Sequence, residues 1–189
     1  DHIRTFVACE LPREIRSEIG SIQENLKHRR LRLKWVRWKN LHITLKFLGD
    51  VPVERIGPIA DAIGEAARNF APMSLSAKGI GVFPGIRRPR VLWIGIGGEL
   101  SQLVRFQGAV ADGLAEVGFP ADKRPYKGHL TIGRIKAAVD SRQLAEALTE
   151  FSDFETAPFR VDEVVVVRSR LKPDGPVYTR LRTVTLDPH

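Results

Sequence analysis

Histidine followed two places later by threonine occurs twice in this chain, as His42-Ile43-Thr44 and His129-Leu130-Thr131, among only five histidines. Successive side chains of a β-strand point to opposite faces, so each imidazole shares a face with its threonine hydroxyl. Leu41, Ile43 and Leu45 share the other face in the first copy, Leu130 and Ile132 in the second, and this apolar row is the core side. Burial alone does not ask for a matched imidazole and hydroxyl on both outer faces. Histidine titrates near neutral pH, so one imidazole can withdraw a proton from water while another, protonated, delivers one to a departing oxygen. Hydroxyls on the same face can donate to the non-bridging oxygens of a phosphoryl group as charge builds there. Such a set needs no metal. A lone His-x-Thr carries little weight, because any exposed strand could hold one; two copies in matching aliphatic context point to a site that transfers phosphoryl groups.

The remaining chemistry-bearing residues have plainer readings. His2 and His189 lie near the ends of the sequence, and His28 falls near the end of a predicted helix, where the macrodipole favours it. Neither motif histidine has a partner at His-x-x-x-His spacing and threonine is a poor zinc ligand, so no metal and no cofactor are expected. Cys9 is the single cysteine, which excludes an intramolecular disulfide and a four-cysteine zinc site; its apolar neighbours mark it as a core residue. Gly95-Ile96-Gly97-Gly98 has Leu100 where a dinucleotide fingerprint has its third glycine, and is read as a turn. The serine-hydrolase run G-x-S-x-G is missing.

Charge narrows the partners. Thirty Lys and Arg against 22 Asp and Glu give a net charge of +8, a bias toward polyanions that leaves RNA, DNA and anionic lipid open. Basic residues gather at 29–34, 37–39, 87–90, 123–124 and 168–172; they read as solvated loops unless they converge on one cleft. The longest apolar stretches, Val91 to Ile94 and Val164 to Val167, fall far short of the roughly 18 to 20 residues of a bilayer span. No secretory pattern opens the sequence. The expectation is a cytoplasmic protein without a membrane partner.

The elements that must carry the two motifs follow from periodicity. Ile3 to Leu11 reads as a strand, and Ile15, Ile19, Ile22 and Leu26 as a helix beginning after Pro12. A short strand at 33–38 precedes the motif strand 41–48, and Gly49-Asp50 with Pro52 turns the chain into a helix over 53–69. Strands at 73–82 and 90–96 flank Phe83-Pro84-Gly85. A helix from about Ser101 ends near Gly118, and the second motif strand covers 128–135. Asp140-Ser141 caps a helix reaching Thr149, and strands at 158–169 and 177–186 close the chain around Lys172-Pro173-Asp174-Gly175. Mixed order and many hairpins predict an α+β fold with mainly antiparallel sheet. Without a Gly-, Ser- or Pro-rich linker, residues 1–189 read as one domain; the echo of His42-Ile-Thr-Leu in His129-Leu-Thr-Ile, each ahead of a predicted helix, divides it into two related lobes.

The run Leu41-His42-Ile43-Thr44-Leu45-Lys46-Phe47-Leu48-Gly49-Asp50, the block His129-Leu130-Thr131-Ile132-Gly133-Arg134 and the opening Arg4-Thr5-Phe6-Val7-Ala8 strand leading into Leu11-Pro12 resemble the 2H phosphoesterases over nearly the whole chain. Within them the likeness is to the bacterial and archaeal RNA 2′,3′-cyclic phosphodiesterases, also called 2′-5′ RNA ligases. The resemblance implies two pseudo-symmetric lobes with helices outside and a central cleft, one His-x-Thr from each lobe, and no metal cofactor. It implies hydrolysis of an RNA 2′,3′-cyclic phosphate to a 2′-phosphate by a monomer, with His42 as general acid, His129 as general base, and Thr44 and Thr131 on the phosphate. The substrate would be an RNA end, tRNA halves among the candidates. Sealing RNA halves through a 2′-5′ bond, or holding RNA ends without catalysis, are the alternatives. The same likeness gives Arg134 to the phosphate and Phe47 to base stacking. Regular alternation, however, puts both off the histidine face: Phe47 would then be a core residue and Arg134 a surface ion-pair partner. Lys46 has the parity of His42 and so faces the cleft, as a substrate contact or as a solvated lysine. The likeness departs at Gly128, where the family often has proline, leaving the entry to the second motif less constrained.

Overall fold

The computed structural model describes residues 1–186; His189 lies outside them. The apolar stripes read from the sequence become helices α1 (Arg13–Lys27), α2 (Ile56–Ala67), α3 (Leu100–Glu116) and α4 (Ser141–Glu150). In α1 the buried positions include Ile15, Ile19, Ile22 and Leu26, and in α3 Leu103, Phe106, Val110 and Leu114, each set on one face at helical spacing. Fully burying each such side chain stabilises the fold by about 1.5–3 kcal/mol. Asp140 caps α4 as expected, its carboxylate accepting from the backbone N–H of Arg142 (3.0 Å) and Gln143 (3.2 Å).

The strands form two antiparallel sheets. The first has β1 (His2–Glu10), β3 (His42–Pro52), β8 (Glu163–Lys172) and β9 (Gly175–Thr185) in the order β3-β1-β8-β9. The second has β2 (Lys34–Trp35), β4 (Met73–Phe83), β5 (Val91–Gly98), β6 (His129–Arg134) and β7 (Phe159–Val161) in the order β2-β6-β5-β4-β7. This is the α+β fold predicted from the pattern. One continuous apolar core runs through the helices and the inner faces of both sheets, from Val7, Ile43 and Val166 to Leu92, Ile94 and Leu130. The outer face of the first sheet carries a second, smaller cluster of Phe6, Ala8, Val165 and Val167, against which Tyr178 packs.

Four elements differ from their sequence reading. The motif strand expected over 41–48 runs on through Gly49 and Asp50 to Pro52, because β1 continues to pair with it, Thr5 opposite Gly49 and Arg4 opposite Asp50. The strand expected over 158–169 is two strands: β7 pairs with β4 in the second sheet and β8 with β1 in the first, so the chain changes sheets at Asp162. The run Val164 to Val167 is buried throughout because both faces of β8 are covered, alternate residues entering the main core and the smaller cluster. The glycines 95–98 are strand rather than turn. A Cβ on Gly95 would lie 2.5 Å from the Lys78 carbonyl oxygen and one on Gly97 2.6 Å from Ser76 Oγ, so these positions are bare because β4 approaches closely; only Gly98, at φ +79°, turns the chain. The strand expected over 33–38 shrinks to β2, and Trp38–Asn40 form a 3-10 turn instead.

Candidate active site

The two motif strands belong to different sheets, β3 at the edge of the first and β6 inside the second, yet they lie against each other. His42 and His129 are thereby close enough for the charge on one to be felt at the other. Their orientation is matched. Nδ1 of His42 is 2.7 Å from the carbonyl oxygen of Asn40, and Nδ1 of His129 is 2.7 Å from that of Lys127, two residues earlier in each case. A carbonyl only accepts, so Nδ1 carries the proton in both rings and Nε2 is left for chemistry. Asn40 is itself fixed, its side-chain amide donating to the Pro176 carbonyl at 3.0 Å.

Around these common features the two rings have different surroundings. His42 is stacked on Phe6 (4.8 Å between centroids, 25° between planes), meets the edge of Tyr178 at 5.4 Å, and has Thr44 Oγ1 2.9 Å from Nε2. Burial pushes its pKa below the usual histidine value; the Asn40 carbonyl and the Glu10 carboxylate oppose that shift, and the charge of His129 adds to it. Glu10 is the cross-strand partner of His42, whereas Gly95 is the partner of His129. His129 instead meets Phe83 edge-on at 5.0 Å, with Trp93 beyond at 5.2 Å from Phe83 and the Lys127 ammonium 5.7 Å over the Phe83 ring.

Each motif strand contains an extra residue at the same offset from its histidine. Against β1, Thr44 is opposite Ala8 and Lys46 opposite Val7, so Leu45 is bulged; against β5, Thr131 is opposite Trp93 and Gly133 opposite Leu92, so Ile132 is bulged. A bulge resets alternation beyond it. Phe47 therefore stands opposite Phe6, on the histidine face, 63% exposed and 6.0 Å from the Phe6 ring. Arg134 is also exposed, and its charge is felt at Tyr178 in the other sheet. The core placement that plain alternation gave Phe47 is thus corrected, and Arg134, five places after His129 as Phe47 is after His42, takes the equivalent position. The correction for Lys46 runs the other way. It lies on the core face, 4% exposed, with Nζ donating to the Pro120 carbonyl at 3.0 Å and 3.5 Å from Asp122, and so faces away from the cleft.

Sequence reading missed the groups that hold the bulges. The Leu45 carbonyl accepts from Gln107 Nε2 of α3 at 3.0 Å, and the Ile132 carbonyl from Gln23 Nε2 of α1 at 2.9 Å. Both glutamines are buried. Each lies four residues after a fully buried apolar residue of its helix, Ile19 and Leu103, and a polar residue inside such a stripe was the available signal. A further tie joins the motifs, the Tyr126 hydroxyl donating to the Thr44 carbonyl at 2.9 Å. The segment that leads into His129 is thereby anchored on the His42 strand. Among the described residues no three His, Cys, Asp or Glu side chains cluster as metal ligands would.

The family model for LigT-like phosphoesterases matches residues 10–93 and again residues 95–178, one His-x-Thr in each stretch. The chain belongs to the LigT-like phosphoesterase family. Similar relatives include the RNA 2′,3′-cyclic phosphodiesterase of Methanothermobacter thermautotrophicus, 35% identical over 97% of this chain and 99% of that one. The protein of the same name from Methanocaldococcus jannaschii is 33% identical over 93% of this chain and 96% of its own length. Among solved structures, TT0787 of Thermus thermophilus superimposes with a TM-score of 0.80 at 30% identity, covering 97% of this chain and 98% of that one. In this LigT-like chain one of the two bulged His-x-Thr strands falls in each matched stretch.

Proposed function

We propose that the chain hydrolyses RNA 2′,3′-cyclic phosphate ends to 2′-phosphates by acid-base catalysis between His42 and His129, without a metal. The observation that carries the reading is the matched pair of tautomers: both imidazoles are held through Nδ1 and present Nε2. Water attacks phosphorus as His129 Nε2 takes its proton; the bond from phosphorus to O3′ breaks, and His42 Nε2 protonates O3′ as it leaves. Thr44 and Thr131 donate to the non-bridging oxygens, Arg134 offsets the phosphoryl charge, and Phe47 offers an aromatic face to the terminal base. Burial depletes the proton of His42 in the free protein, and an anionic diester beside Nε2 restores it. The names of the archaeal relatives support the substrate class. One chain bears both histidines, which supports action as a monomer, and its single, buried, free cysteine suits a reducing cytoplasm.

The test is incubation with an RNA ending in a 2′,3′-cyclic phosphate, in EDTA, with a 2′-phosphate end as the expected product. Untouched substrate refutes the reading, and turnover that EDTA abolishes refutes its metal-free form. His42→Ala and His129→Ala are each expected to lower the rate at least about a hundredfold with the fold retained. Sealing of RNA halves would run the same steps backwards with a 5′-hydroxyl in the place of the water.

A further inference from the structure

Beside His42, reached by Asn40 and Leu41 ahead of it in the chain and not by Phe47 after it, lies a pocket of about 150 Å³ whose rim includes Glu10, Arg16, Lys39, Tyr178 and Arg180. Not all of its charge is free. Arg180 lies 2.5 Å from Glu10 and 3.7 Å from Glu163, so those three groups compensate one another. Arg16 and Lys39 have no carboxylate partner among the described residues. They are nonetheless held in place. The Arg16 guanidinium sits 6.0 Å and the Lys39 ammonium 5.8 Å from the Trp38 ring, and Arg16 Nη1 donates to the Lys39 carbonyl at 2.9 Å. Trp38 is seated on α1 at Gly20, where a Cβ would lie 3.1 Å from its own Cβ. The helix is bare there, which lets the 3-10 turn bring its lysine up to the arginine of α1.

Two unpaired cations fixed on an aromatic ring, at the mouth of a polar pocket next to the reacting group, have the chemistry of a phosphate subsite. The surroundings of His129 hold one such cation, Lys127 over the Phe83 ring, and its cross-strand neighbour is Gly95; the pair of cations on one ring belongs to the His42 side. With the terminal base at Phe47 and the cyclic phosphate at His42 and His129, the pocket lies where the strand continues. We propose that Arg16 and Lys39 bind the next phosphate of the same RNA strand, on the 5′ side of the cyclic end, so that the enzyme measures one nucleotide back from the terminus. This subsite rests on the function proposed above for its direction and on Arg16, Lys39 and Trp38 for its chemistry.

Three substrates test it: uridine 2′,3′-cyclic phosphate, the same nucleotide with a 5′-phosphate, and the dinucleotide ApU with a 2′,3′-cyclic end. The wild type is expected to favour both phosphate-bearing substrates over the bare nucleotide by about tenfold in kcat/KM. The double variant Arg16→Gln/Lys39→Gln should lose most of that preference and handle the bare nucleotide within about twofold of wild type. Equal use of all three substrates, a preference for ApU alone, or an equal loss on all three in the variant would overturn the subsite. Calorimetry with uridine 2′-phosphate and uridine 2′,5′-bisphosphate separates it from the function. Tighter binding of the bisphosphate that depends on Arg16 and Lys39 keeps the subsite even where none of the three is turned over, an outcome that removes the proposed hydrolysis alone; equal binding of the two rejects the subsite.

Discussion

At the level of single residues, the two imidazoles differ in what stands across the strand from them, and that difference makes their duties measurable. Glu10 favours the protonated form of His42, while burial between Phe6 and Tyr178 disfavours it and dominates. A general acid must be protonated, so activity falls as pH rises through its pKa, and kcat/KM reports that pKa in the free enzyme. With His42 as the acid, the falling limb of kcat/KM should lie below the usual histidine range, and Glu10→Gln should move that limb to still lower pH. Movement of the rising limb would make His42 the base. The faces that His42 shares with Thr44 and His129 with Thr131 were legible because strand alternation needs nothing beyond the sequence to put an imidazole and a hydroxyl on one face. Phe47 and Arg134 were not, because alternation holds only until a residue is left unpaired. Their equal displacement from the two histidines was the trace that the bulges left in the sequence.

At the level of elements, the bulges are held across the molecule: α1 supplies the glutamine for β6, and α3 the glutamine for β3. Gln107→Met keeps the bulk and removes the donor, leaving the Leu45 carbonyl buried without a partner, at a cost of about 1–3 kcal/mol in denaturant unfolding. The effect on function should be local. In double-mutant cycles on nucleotide binding, Gln107→Met should couple with Phe47→Ala and be additive with Arg134→Ala, while Gln23→Met should show the reverse pattern. Additivity in all four cycles would mean that the glutamines stabilise the fold without aiming either side chain. The helices themselves were legible from apolar spacing. The split at Asp162 was not, since a run of valines covered on both faces reads the same whether the strand before it stays in one sheet or comes from the other.

For the molecule as a whole, the excess of 30 basic over 22 acidic residues becomes a rate effect. On an RNA oligonucleotide, kcat/KM should fall steeply as salt rises, while on a cyclic mononucleotide it should fall little; parallel slopes would show that the surface charge does not engage the strand. The paired echo of the motifs was legible as two related lobes, but how they share their parts was not, because hydrogen bonds between distant segments leave no spacing in a sequence. Those crossed bonds also set an order in time. On the ribosome, β3 is complete long before Gln107 of α3 emerges to hold its bulge, and β1 keeps one edge open until β8, near the end of the chain, arrives to cover it. The earlier of the two motif histidines is thus among the last groups to reach its working shape, and a chain that stops short carries the residue without the site.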